Sequence, residues 1–88
     1  MNILNYKPPI LMIYEGCWHE EYAVITEIDS ETDTVYVRFF DSNLREVTTL
    51  HYVCTDERGA TFSITRFDFI FHGFKIVRDE ELLLRLLL

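Results

Sequence analysis

Four side chains in this sequence are spaced in pairs that could hold a metal ion or set a nucleophile beside a base: Cys17, His19, His51 and Cys54. Cys17-x-His19 and His51-x-x-Cys54 would together make a Cys₂His₂ set, which zinc accepts in tetrahedral geometry. The spacing works against it. On a straight strand, positions 51 and 54 point to opposite faces, so only a bend after Tyr52 would bring His51 and Cys54 together. Cys17 and His19, two apart on an extended segment, share a face. A thiolate nucleophile also needs an orienting group and an oxyanion site, and no third residue is placed to supply either. The sequence therefore predicts small buried thiols, ordinary histidines, no metal, no cofactor and no enzyme activity. A Cys17–Cys54 disulfide would need their Cα atoms within about 7 Å, which spacing alone leaves open.

The second group is acidic. Glu27, Asp29, Glu31 and Asp33 form a ladder around one turn, and Glu15, Glu20 and Glu21 extend it if the first two strands pair nearby. A calcium loop would want more oxygen ligands and a glycine at its sharp bend, and the turn has no glycine. Carboxylates held on a rigid β turn have another use: they can stand in for phosphates and fill a basic groove on a partner. Small acidic inhibitors of DNA-handling machines, phage anti-CRISPR and anti-restriction proteins among them, resemble this chain in size and charge, though not in any motif.

The balance of the whole chain agrees. With eight basic and fifteen acidic side chains, the net charge is −7. Direct binding of nucleic acid needs a cationic footprint, and an anionic membrane surface would repel the chain. A basic protein partner is favoured. The chain has 88 residues, with 49% apolar and 15% aromatic side chains, so one domain with a small true core is expected. Two cysteines are too few for a disulfide-built scaffold. No apolar stretch approaches the ~20 residues of a membrane helix, and no charged start with an apolar run and cleavage site is evident. A cytoplasmic protein is the expectation.

The elements that would position these residues are mostly strands. Residues 1–9 end in Pro8-Pro9 and predict an extended arm. Residues 10–15 form a short β run, stopped by Gly16. In 21–29, Tyr22, Val24, Thr26 and Ile28 share one face and Ala23, Ile25 and Glu27 the other, so the strand is covered in part on both sides. Residues 34–40 are the clearest strand, with Val35, Val37 and Phe39 opposite Tyr36, Arg38 and Phe40. Residues 46–53, 61–67 and 69–77 read as further strands. Phe67, Phe69 and Phe71 would share one face, and Gly73 would mark a bulge or bend. Turn signals recur roughly every ten residues, the rhythm of an antiparallel barrel or sandwich. The tail at 79–88 predicts a short helix capped by Asp79, with Glu80 and Glu81 at its positive end. Its leucines surround the axis, so Leu83, Leu84, Leu87 and Leu88 are a candidate assembly surface, for instance for a homodimer.

The stretch EYAVITEIDSETDTVYVRFFDSNLREVTTL, residues 21–50, resembles a Tudor-like domain within the SH3-like barrel class. Tyr22, Ala23, Val24 and Ile28-Asp29 match the first half of the family pattern. Val35, Val37, Phe39 and Asp41 match the second, with Glu46 near the expected acid. The resemblance covers about a third of the chain. It implies a small antiparallel SH3-like barrel of five to six strands over residues 10–77, followed by the C-terminal helix. It also implies a reader of methylated Lys or Arg, held in an aromatic cage by cation–π attraction. Trp18, Tyr22 and Phe40 are the candidate walls. The motif's tyrosine is Ser42 here and its glycine is Asn43, so one wall of such a cage is missing.

These readings give an ordered set of expectations. First comes a non-enzymatic interaction module, an inhibitor or adaptor, whose acidic face docks on a basic, nucleic-acid-binding surface of another protein. A Tudor-like reader comes second, and a structural subunit assembled through its leucine helix third.

Overall fold

A computed structural model describes residues 2–15, 20–50 and 60–88. Its centre is a six-stranded antiparallel sheet. The strands are β1 (Ile10–Glu15), β2 (Glu20–Asp29), β3 (Thr34–Phe40), β4 (Glu46–Val47), β5 (Ala60–Ser63) and β6 (Phe74–Val77). They lie in the order β4-β3-β2-β1-β6, and β5 also pairs with β3. β3 thus shares one edge between two short partners: Phe39 and Phe40 face β4, and residues 34–37 face β5. The fold is mostly β, as expected. The sheet is not closed into a barrel, because β6 pairs with β1 and not with β4 or β5 among the described residues. No helix among those residues is long and apolar enough to cross a membrane.

The sheet carries a core on each face. Ala23, Ile25, Val35, Val37 and Phe39 point into the larger one, with Met12, Phe67, Phe71 and Phe74. Leu11, Tyr22, Val24 and Phe40 point into the smaller one. The alternation expected in β2 therefore holds, but only to Ile25. Between Ile25 and Glu27 the register slips by a β-bulge. The extra residue, Thr26, is exposed and its hydroxyl donates to the Tyr36 carbonyl (3.3 Å). Beyond it the faces exchange: Ile28 packs on the larger core with Ala23 and Ile25, not beside Tyr22 and Val24. A bulge inserts one residue against none, so every later side chain changes sides.

Three expected strands are corrected. The run at 46–53 is a strand only at Glu46–Val47 among the described residues, and Leu50 packs into the larger core. The runs at 61–67 and 69–77 are interrupted by helix. After β5 come a 3-10 turn (Ile64–Arg66) and a one-turn helix α1 (Phe67–Ile70), before β6. Phe67 and Phe71 are spaced by four, so one helical turn puts them on the same face. Their rings stack at 4.3 Å and both are 1% exposed. Phe69 points away and is 80% exposed. Gly73 sits in the turn that follows. A Cβ there would land on the Tyr14 ring, 2.8 Å from Cδ2, so the close approach demands glycine.

The amino-terminal arm is held at Ile3. A 3-10 turn (Ile3–Asn5), capped by the Asn2 side chain, buries Ile3 in the larger core. At the other end, α2 (Glu80–Leu87) begins as expected: the Asp79 carboxylate accepts from the Leu82 N–H at 3.0 Å, and Glu80 and Glu81 occupy the first turn. So short a helix is marginal alone. It forms because it lies on the sheet. Leu86 is buried against Leu11, Tyr22, Val24 and Phe40, and Leu82, Leu83 and Leu87 pack beside it.

Candidate functional site

The β2–β3 hairpin carries the acidic ladder, and its own carboxylates hold it rigid. Asp29 Oδ1 accepts from the Glu31 N–H (3.0 Å) and the Thr32 N–H (3.4 Å), closing the turn on itself. Asp33 adopts a positive φ of 55°, a conformation that short polar side chains tolerate by bonding locally. Its Oδ2 accepts from the hydroxyls of Ser63 (2.5 Å) and Thr65 (3.4 Å), and its carbonyl accepts from the Ile64 N–H. Asp29 and Asp33 thus tie the hairpin to itself and to the end of β5. Glu27 and Glu31 are exposed, and neither carboxylate makes a hydrogen bond or ion pair among the described residues. Glu27 stands opposite Tyr36, which is also exposed.

Glu20 and Glu21 do not simply extend this surface. Glu20 is exposed and accepts a 2.6 Å hydrogen bond from the Tyr22 hydroxyl. That bond, with burial and the nearby negative charge, pushes the Tyr22 phenol up to about 12. Glu21 is 5% exposed, on the face of β2 that points to the larger core, and is corrected from surface to interior. One-residue alternation separates the two acids, because neighbours on a strand face opposite ways.

The aromatic pocket is corrected too. Tyr22 and Phe40 do come together, directly opposite each other on β2 and β3. They are 8% and 2% exposed, beneath α2, and so form core and not an open cage. The Arg38 guanidinium already sits 5.4 Å from the centre of the Phe40 ring. Arg38 also makes a two-pronged ion pair with Glu46: Nε to Oε2 at 3.0 Å and Nη2 to Oε1 at 2.6 Å. Those hydrogen bonds hold the Glu46 carboxyl below its ordinary range, against a smaller opposing effect of burial. Both side chains are substantially exposed, at 39% and 50%, so the pair contributes about 0–1 kcal/mol. Trp18 and the four candidate metal ligands, Cys17, His19, His51 and Cys54, lie outside the described residues. Among the described residues no three His, Cys, Asp or Glu side chains group to hold a metal.

The leucine tail divides by face. Leu83 and Leu87 pack against the sheet, while Leu84 is 61% exposed and Leu88 fully so. Of the candidate assembly surface, only Leu84 and Leu88 face outward. Residues missed from the sequence lie where β1 and β6 part. Tyr6, Lys7, Ile10, Ile76, Arg78 and Leu83 are among those lining a groove of about 330 Å³. Its lining comes from both ends of the chain and has no local spacing pattern that could have revealed it.

No family model matches this sequence, and no curated protein or solved structure matches it.

Proposed function

We propose that this chain is a non-catalytic protein-interaction module that docks its β2–β3 hairpin on a basic surface of a partner, of the kind that binds nucleic acid. The observation that supports this is the division of labour among four acids. Asp29 and Asp33 are consumed in fixing the turn, which leaves Glu27 and Glu31 exposed on a backbone that is already ordered. Preorganised charge loses little entropy on docking, and acid against base steers encounter. A cytoplasmic inhibitor or adaptor, acting as anti-CRISPR and anti-restriction proteins do, is the role that fits.

The same reading takes the sheet as an open relative of an SH3-like, Tudor-like barrel. The support is its order: a long, bulged β2 at the centre, and a last strand that returns to the first. Bulges of this kind bend a sheet toward closure.

The test uses Glu27→Lys with Glu31→Lys, which spares the two acids that build the turn. Wild-type protein immobilised at low salt should retain a basic partner from host lysate and release it as salt rises through the range where the Debye length falls below about 10 Å. The double variant should lose that same partner, with wild-type thermal stability. Equal retention by the variant, or retention that salt does not weaken, would overturn the reading.

A further inference from the structure

One face of the sheet shows the same pair of groups twice, once satisfied and once open. On the face that carries the smaller core, α2 packs over Tyr22, Val24 and Phe40. Arg38, on that face of β3, lays its guanidinium 5.4 Å from the centre of the Phe40 ring and forks onto the Glu46 carboxylate through Nε and Nη2. Ring, carboxylate and guanidinium make a closed set. Two residues back along the same face stands Tyr36, 37% exposed. Directly opposite it on β2 is Glu27, whose carboxylate is exposed and makes no hydrogen bond or ion pair among the described residues. On its other side β5 sets the exposed Thr61. Here a ring and a carboxylate stand side by side, and no cation among the described residues lies on either.

The bulge at Thr26 creates this juxtaposition. Strict alternation would send Glu27 to the side of Ala23 and Ile25, toward the larger core. The inserted residue turns Glu27 to the open side and Ile28 inward in exchange. Bulges recur where a strand re-aims a side chain beside a functional site. The Thr26 hydroxyl, donating to the Tyr36 carbonyl, ties the two strands together at the same point. Residues directly opposed in an antiparallel pair hold their Cβ atoms about 4.5–5.5 Å apart, so one planar cation can lie on the ring and still reach the acid. β3 is paired here on both edges, to β2 and to β5. The backbone beneath Tyr36 therefore needs no ordering on docking.

We propose that Tyr36 and Glu27 receive an arginine side chain of the partner protein, its guanidinium flat on the Tyr36 ring and two-pronged on the Glu27 carboxylate. Resting on the docking reading above, this site names the group on the basic surface that meets the hairpin. A guanidinium is planar, stacks on an aromatic face and matches both carboxylate oxygens at once. A lysine ammonium is a compact, strongly hydrated point charge and gains less from the same pair. The Arg38 set is the same chemistry met from within the chain.

The probes are the Nα-acetyl amides of arginine, lysine and citrulline, the last a neutral twin of arginine, titrated at low salt into ¹⁵N-labelled protein. The arginine compound should shift the amides of Glu27, Tyr36 and Thr61 saturably. It should bind about fivefold more tightly than citrulline, the size of an exposed ion pair with ring contact, and about threefold more tightly than lysine. Tyr36→Thr keeps a β-branched residue on the strand and leaves Glu27 in place. In that variant, whose spectrum elsewhere should match wild type, the margin of arginine over lysine should vanish. Glu27→Gln should weaken both cations. Equal affinity of arginine and lysine for the wild type, an arginine margin that survives Tyr36→Thr, or shifts that do not saturate would each overturn the assignment, and the wild-type comparison decides even where a variant fails to fold. That failure, with the lysate partner still lost by the Glu27→Lys, Glu31→Lys variant, would sink the arginine site and leave the docking reading standing.

Discussion

Phe71→Ala should cost about 3–5 kcal/mol, the range for deleting a fully packed aromatic ring. Phe71 is 1% exposed and touches rings on every side: Phe67 at 4.3 Å, Phe62 at 4.9 Å, Phe74 at 5.2 Å and Phe39 at 6.3 Å between centroids. A domain of this size holds a total margin on the order of 5–15 kcal/mol, so the variant should be marginal or unfolded at room temperature. Phe69→Ala, two residues away, should fall within about 0.5 kcal/mol of wild type, as for exposed substitutions elsewhere. Urea midpoints at unchanged slope would measure both. The contrast separates helix from strand at this point in the chain. A strand through 67–71 would make the two costs similar, and that outcome would refute the helical turn.

Leu86→Ala should be the second large loss, about 2–5 kcal/mol. Leu86 is the 4% exposed residue that seats α2 on the smaller core. Leu84→Ala should be near neutral, within about 0.5 kcal/mol, because Leu84 faces solvent. Denaturation of each variant, with sedimentation to give its mass, decides what the leucine tail is for. A large cost at Leu86 with unchanged mass makes the tail part of the fold. If Leu84→Ala instead turned an oligomer into a monomer, the outer face of α2 would be the assembly surface after all.

The central strands were legible because their side chains alternate cleanly. Val35, Val37 and Phe39 face one core and Phe40 the other, as period-two reading requires. Asp79 and its two following glutamates marked the start of α2 for equally local reasons. Legibility failed where two periods fit one string. Phe67, Phe69 and Phe71 suit a strand at spacing two, while Phe67 and Phe71 suit a helix at spacing four. Only the space beneath the sheet chooses between them. The bulge at Thr26 was hidden for a related reason: Thr26 has good strand propensity, and nothing local tells that β3 has no residue to oppose it.

The candidate site was half legible. The ladder of acids could be counted, but not sorted. That Asp33 serves Ser63 and Thr65, thirty residues on, is a tertiary fact. Tyr22 and Phe40 could be named as candidate walls, but their pairing across β2 and β3, and what covers them, are tertiary facts. The helix that covers them lies at the far end of the sequence.

The pairing of Leu11 with Val77 also orders events in time. The β2–β3 hairpin closes across a short turn, whereas β1 meets β6 only after most of the chain has been drawn together. Loop closure costs more entropy as the loop lengthens, and such distant pairings slow folding. The sheet should grow outward from its centre, with β6 and α2 arriving last. Pulse-labelled amide exchange during refolding should protect Ile25 and Val37 before Leu11 and Val77, and simultaneous protection would contradict this order. Until α2 arrives, the apolar side of β1, β2 and β3 lies open to water. That interval is when a nascent chain is most exposed to aggregation, and it ends only once the last residues described here are in place.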